Sequence, residues 1–333
     1  MHTWFRRAAV AAATLTALAA STVPARAEFP DQGNRILYVR GRLAEITPVR
    51  PARGTEFEVA DLFSMKNNGT DARRVADTPS TIEFGGSYSP DGEDIVFWGV
   101  KSGDRVQVFR ADADGTHRST LTTNQTSVMP NWSKNGKQIV YVKYPAPTRV
   151  SGSRSGPARG GSNSDLMVMD ADGGGKHSIY SGIDISSPGW SPTRAEIAFS
   201  MQTKAGGQIF LIPPDGGTPE LVCCDSGTAL FLDWSPDGRR LLFQFEASAP
   251  PRRGGPIVQV KSIRRDGSDE IDVTDRSFYL TLPRFSDDGN RVVYTREGGG
   301  TFDLYRTRSD GTGGNKRLSD TPKKVEFLTL LAG

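Results

Sequence analysis

Ala229-Leu230-Phe231-Leu232-Asp233-Trp234-Ser235-Pro236-Asp237-Gly238-Arg239-Arg240-Leu241-Leu242-Phe243 holds the organisation of the chain in miniature. A short apolar run ends on an aromatic residue. Ser-Pro-Asp-Gly follows, and a second apolar run begins. Asp and Gly favour turns for different reasons, Asp by bonding its own backbone and Gly by accepting positive φ. Two short apolar runs joined this way read as a β-hairpin.

The same element recurs. Tyr88-Ser89-Pro90-Asp91-Gly92, Trp132-Ser133-Lys134-Asn135-Gly136, Trp190-Ser191-Pro192-Thr193-Arg194 and Phe285-Ser286-Asp287-Asp288-Gly289 are copies, and Phe29-Pro30-Asp31-Gln32-Gly33 is a degraded one. A second signal is interleaved: Asn68-Gly69, Asp114-Gly115, Asp172-Gly173, Asp215-Gly216, Asp266-Gly267 and Asp310-Gly311. Its glycines step by 46, 58, 43, 51 and 44 residues. A period in the forties with insertions is that of a four-stranded propeller blade. With strands lettered a to d outward from the axis, Ser-Pro-Asp-Gly joins a to b and Asp-Gly joins c to d. Strand a precedes the anchor in five repeats. The first repeat lacks one, and Val325-Glu326-Phe327-Leu328-Thr329-Leu330-Leu331 stands unclaimed at the other end. The expected fold is an all-β, six-bladed propeller of antiparallel four-stranded blades, its ring closed by this C-terminal strand.

Outside the repeat lies residues 1–27. Arg6 and Arg7 precede an alanine-rich apolar run from Ala8 to Val23, and Ala25-Arg26-Ala27 ends it in A-x-A form. That is the layout of a secretory signal peptide cleaved after Ala27. The expected product is a periplasmic or secreted domain of residues 28–333 that does not span a membrane. The full chain carries a formal charge of +3. Removing Arg6, Arg7 and Arg26 leaves 38 basic against 38 acidic residues, so no global attraction to nucleic acid is expected. Cys223 and Cys224 are adjacent. Two thiols at a strand end are favoured over a ring between neighbours.

Catalytic signatures are sparse. Only His117 and His177 lie beyond Ala27, each just after an Asp-Gly turn, where surface positions are expected. No G-x-S-x-G elbow is present. Gly173-Gly174-Gly175-Lys176 lacks the Ser or Thr of a phosphate loop. Asp112, Asp114, Asp170 and Asp172 have the spacing of calcium ligands but not the further oxygen donors, and turn chemistry explains them. No metal and no cofactor are expected. The recurrent Trp132, Trp190 and Trp234 are assigned to packing between blades.

The Trp-Ser-Pro-Asp-Gly anchor, the apolar strand after it and the Asp-Gly turn together resemble the WD-like propeller repeat of the TolB family, over residues 28–333. TolB carries a further α/β domain before its propeller, and no such domain fits between Ala27 and the first repeat. The resemblance implies a periplasmic or secreted propeller whose relatives bind proteins or peptides at the face or mouth of the central channel.

Departures from the repeat carry the functional information. The b–c connections are long in the first, third and fifth repeats and bear Arg40, Arg42, Arg50, Arg53, Arg149, Arg154, Arg159, Arg252 and Arg253. All b–c connections emerge on one face, so these arginines form the candidate binding surface. Arginine suits bidentate contact with carboxylate or phosphate. The expected partner is a protein or peptide, acidic in character, or an anionic envelope polymer, bound by a monomer. The alternative is an enzyme such as a polysaccharide lyase or hydrolase with its site at the channel mouth.

Overall fold

A computed structural model describes residues 35–43, 57–66, 71–76, 81–101, 105–124, 126–145, 162–225, 227–247, 257–277, 280–286, 288–298, 301–318 and 325–328. Every regular element among them is a strand. In chain order these are β1 (Arg35–Leu43), β2 (Phe57–Lys66), β3 (Arg73–Ala76), β4 (Thr81–Tyr88), β5 (Asp94–Lys101), β6 (Arg105–Asp112), β7 (Ser119–Thr120), β8 (Ser127–Trp132), β9 (Gln138–Lys143), β10 (Asn163–Asp170), β11 (His177–Ile183) and β12 (Ser186–Trp190). They continue as β13 (Ile197–Thr203), β14 (Gly206–Ile212), β15 (Glu220–Cys223), β16 (Thr228–Trp234), β17 (Arg240–Glu246), β18 (Val258–Arg264), β19 (Ile271–Asp272), β20 (Leu280–Phe285), β21 (Arg291–Gly298), β22 (Thr301–Arg308), β23 (Lys316–Arg317) and β24 (Val325–Leu328).

Pairing is sequential and antiparallel. β4 to β7 form one four-stranded sheet and β8 to β11 another. β12 to β15 meet β16 to β19 through one parallel bridge, Gly207 to Thr228. β20 to β23 meet β24 through Phe302 and Val325, and β24 pairs antiparallel with β1, Tyr38 opposite Leu328. The architecture is all-β, with sheets that pack on one another through buried cores.

The two turn signals do separate work. In the Ser-Pro-Asp-Gly turn, Ser235 Oγ donates to Asp237 Oδ1 at 2.6 Å and accepts the Arg240 N–H at 2.8 Å. Ser89, Ser133 and Ser286 repeat the pattern with Asp91, Asn135 and Asp288. The serine and acid of the anchor are therefore consumed by the turn itself. The Asp-Gly turn acts between successive sets of four strands. Gly267 has φ +81°, and a Cβ on it would lie 2.5 Å from the Val222 carbonyl oxygen of β15, the outer strand of the four before it. Gly115, Gly173, Gly216 and Gly311 sit in the same way against Val75, Leu121, Ile179 and Asp272. Each turn thus closes a hairpin and seats it on the outer segment of the preceding four strands, which is why glycine recurs there so faithfully.

Packing follows the alternation of each strand. In β17, Leu241 and Phe243 enter the core shared with β14 and β16, whereas Leu242 enters the next core with Val258, Phe285 and Tyr294. Trp132, Trp190 and Trp234 are all buried, as packing between blades requires. Trp234 Nε1, in β16, donates to the Gly189 carbonyl of β12 at 3.1 Å.

Two expectations need correction. Cys223 and Cys224 are joined as a disulfide rather than left as thiols. Cys224 makes this possible by adopting φ +87°, which turns the chain back at the end of β15. The first b–c connection also starts later than Arg40. β1 runs through Arg40 and Arg42 because β2 pairs with it beyond both, placing Arg40 opposite Asp61 and Arg42 opposite Val59.

Candidate functional site on the innermost strands

The first strand of each set of four touches the first strand of the next: β4 with β8, β8 with β12, β12 with β16 and β16 with β20. These strands share an irregularity. Their pairing with the second strand slips between Phe84 and Gly86, Val128 and Asn131, Ser186 and Gly189, Leu230 and Asp233, and Thr281 and Arg284. In four of the five the slip ends on the residue directly before the anchor aromatic, and in β4 it ends one residue earlier, on Gly86. Bulges bend a strand and re-aim its side chains, and they concentrate near functional sites. Met129, Ser187 and Leu282 occupy the bulge with φ of 56°, 52° and 48°, and each precedes a proline. Left-handed φ on such residues persists only where surrounding structure enforces it.

At three of the bulges the next residue stitches neighbouring sheets. Asn131 Oδ1 accepts the Trp190 N–H at 2.9 Å, and Asp233 Oδ2 accepts the Phe285 N–H at 2.8 Å. Arg284 reaches the opposite way and donates to the Leu232 carbonyl at 2.9 Å. Its Nη1 lies 3.6 Å from Asp233 Oδ1, with side-chain exposures of 0% and 7%. Burial pushes the Asp233 carboxyl up to about 6, against the opposing pull of Arg284 and two backbone N–H groups. Burial also lowers the Arg284 guanidinium, while Asp233 holds it up. Charges this deep persist only when paired and hydrogen-bonded. A second buried acid, Glu83 of β4, receives Arg118 Nη1 at 2.8 Å, and that guanidinium lies 3.9 Å from the Phe109 ring centroid. These groups can hold charge and orient backbone between sheets.

The sequence reading did not single out Asp233, Arg284, Asn131 or Glu83. Their signal was present: the position before the anchor aromatic reads Ser87, Asn131, Gly189, Asp233 and Arg284, the most varied in the element. Of the candidate arginines, Arg40 and Arg42 lie in β1, whereas Arg50, Arg53, Arg149, Arg154, Arg159, Arg252 and Arg253 lie outside the described residues. His117 is exposed just after its turn, and His177 is exposed at the start of β11. His117 Nδ1 stands 2.7 Å from Asp112 Oδ2, a contact that raises the imidazole. Among the described residues, no three His, Cys, Asp or Glu side chains are grouped to hold a metal ion.

No family model matches the chain. A TolB homolog of Chlorobium luteolum is 27% identical over 230 residues, covering 68% of this chain and 47% of that protein. The chain spans about half the length of the curated relatives it matches. The crystal structure of TolB from Acinetobacter baumannii superposes with a TM-score of 0.64 and 17% identity, over 89% of this chain and 67% of that one. An oligogalacturonate lyase in complex with manganese superposes at 0.56 with 16% identity, over 78% of this chain and 70% of that one. The turn chemistry, the sequential antiparallel sheets and these likenesses agree, and the chain is a TolB-like β-propeller.

Proposed function

We propose that the protein is an exported, six-bladed propeller scaffold that binds a protein or peptide through the face bearing its long b–c connections. The observation that carries this reading is the sequence likeness to TolB homologues, which extends over 230 residues. Six blades follow if each eight-stranded sheet is divided at its single parallel bridge, Gly207–Thr228 or Phe302–Val325. The pairing of β24 with β1 supports closure of the ring by the C-terminal strand. Export rests on residues 1–27, removed after Ala27 to leave the domain 28–333. No helix among the described residues is long and apolar enough to cross a membrane.

In this reading the turn and core positions serve the scaffold, and the arginine-bearing connections supply recognition. Several guanidinium groups on one face attract an acidic partner, raise its rate of encounter and clamp carboxylates bidentately. The partner is a carboxylate-rich protein segment or an anionic envelope polymer. The test changes Arg149, Arg154, Arg159, Arg252 and Arg253 to Ser and compares capture from cell-envelope extract at low and high salt. Loss of the parent's partners, with a flattened salt response, supports the reading; identical capture refutes it.

The fold likeness to oligogalacturonate lyase motivates the second reading, a channel-mouth enzyme acting on polysaccharide. Incubation of the purified protein with polygalacturonate and other anionic polysaccharides, followed by ultraviolet absorbance and reducing-end assays, separates the two. Turnover would move the assignment to the enzyme.

A further inference from the structure

Outer strands in this protein are short: β3 and β15 have four residues each, and β7, β19 and β23 have two. β11 departs from the pattern with seven, His177 to Ile183, and among the described residues pairs only with β10. Short outer strands, charges and prolines protect a sheet edge from pairing with another chain. Ser178-Ile179-Tyr180-Ser181-Gly182-Ile183 has none of these guards.

The hydrogen-bonding phase of this edge can be read off. Asp184 N–H donates to the Ser162 carbonyl at 3.0 Å, so that pair faces inward. The register pairs Ser164 with Gly182 and Asp165 with Ser181. Inward and outward pairs alternate along an antiparallel ladder. Gly182 and Tyr180 therefore bond towards β10, whereas Ser181 and Ile183 aim their N–H and C=O groups away from it. The Ser164 hydroxyl contact with the Gly182 carbonyl agrees with this phase. The open stretch is bounded on both sides. Asp184, at φ 49°, turns the chain away, and the ladder shifts at Ile179, against whose carbonyl the Gly216 turn is seated.

We propose that this edge pairs with the same edge of a second copy of the chain, antiparallel about a twofold axis at Gly182. The outward residues sit symmetrically about that glycine. Ser181 meets the second copy's Ile183, Ile183 meets its Ser181, and each pair exchanges two backbone hydrogen bonds. Gly182 then faces its own copy in the close pair of the ladder, where it presents no side chain. No charged residue from Ser178 to Ile183 opposes its like across the axis, which an identical partner would otherwise impose. Ile183 is 43% exposed, one of three large apolar side chains left open among the described residues. So short a ladder gives a weak, concentration-dependent dimer, a departure from the monomer expected from sequence.

The test is sedimentation equilibrium of the purified protein over rising concentration, with hydrogen exchange resolved at single amides. The expected result is a monomer–dimer equilibrium in which the Ser181 and Ile183 amides gain protection as the dimer forms. Ile183→Lys should weaken the dimer by roughly tenfold, because symmetry counts the substitution twice, at an unchanged melting temperature. Ser181→Pro should abolish it by removing an outward N–H. If Ser181→Pro disturbs the strand, Ile183→Lys decides, since that side chain already lies at the surface. A protein that stays monomeric up to millimolar concentration overturns the proposal. So does a dimer indifferent to Ile183→Lys, or one whose protection falls on another strand.

Discussion

Asp233 and Arg284 face one another across two neighbouring innermost strands, 3.6 Å apart and shut off from solvent. Asp233 also holds the Phe285 N–H, so one carboxylate serves a charge and a backbone donor at once. Asp233→Ala should therefore remove the carboxylate beside a buried guanidinium and cost about 3–5 kcal/mol. Asp233→Leu combined with Arg284→Met removes both charges and should recover much of that loss. Urea unfolding of the three proteins measures it. Equal stability of Asp233→Ala and the parent would mean the pair is not closed in solution.

The same carboxyl sets a pH signature. Its folded value of about 6 lies above the ordinary carboxylate value of 3.8. The native state then holds the proton more tightly, so this contribution is present at low pH and is lost as pH rises through about 6. Asp114, Asp266, Asp288 and Asp310 behave oppositely. Side-chain hydroxyls of Thr116, Ser268, Ser286 and Thr312 hold them below the ordinary value, so their contribution is lost as pH falls through the carboxylate range. Calorimetry over a pH series should show Asp233→Asn removing a falling component between about pH 4 and 6. The combination of Thr116→Ala, Ser268→Ala and Thr312→Ala should reduce sensitivity to acid instead.

Gly267→Ala should destabilise the protein by about 1–3 kcal/mol, since the methyl meets the Val222 carbonyl at an unfavourable φ. Gly314→Ala is the matched control. Nothing lies within 4 Å of its Cβ position, and its change should stay within about 0.5 kcal/mol. Thermal melts of the two variants compare a seated glycine with a free one.

Deletion of residues 323–333 removes β24 and with it the strand paired to β1. The truncated chain should melt well below the parent if that strand closes the ring. An unchanged melting temperature would assign closure to something else.

The fold was legible because its two turn signals are local. Ser235 needs only Asp237 and Arg240, all within one hairpin, so the motif survives in a string of letters. The Asp233–Arg284 pair joins residues 51 positions apart, and nothing near either one announces the other. It emerges only when two repeats are laid side by side and the position before the aromatic is compared. The cysteine pair was misread for a related reason: adjacency argues for strain, and the left-handed turn at Cys224 that accommodates the bond is invisible in composition. The arginine face was inferred from connection lengths, and β1 showed that a strand can run past the first arginines when a partner pairs beyond them.

The glycine seats have a direction. Each of these Asp-Gly turns rests on the outer segment of the four strands that precede it in the chain: Gly173 on Leu121, Gly216 on Ile179, Gly267 on Val222, Gly311 on Asp272. A chain that emerges amino terminus first therefore always offers a finished surface to the hairpin being completed, and none of these joints waits for sequence still to come. Assembly can proceed like masonry, course upon course. Loss of one seat should show itself as stalling of the hairpins that follow it, while those already laid stand.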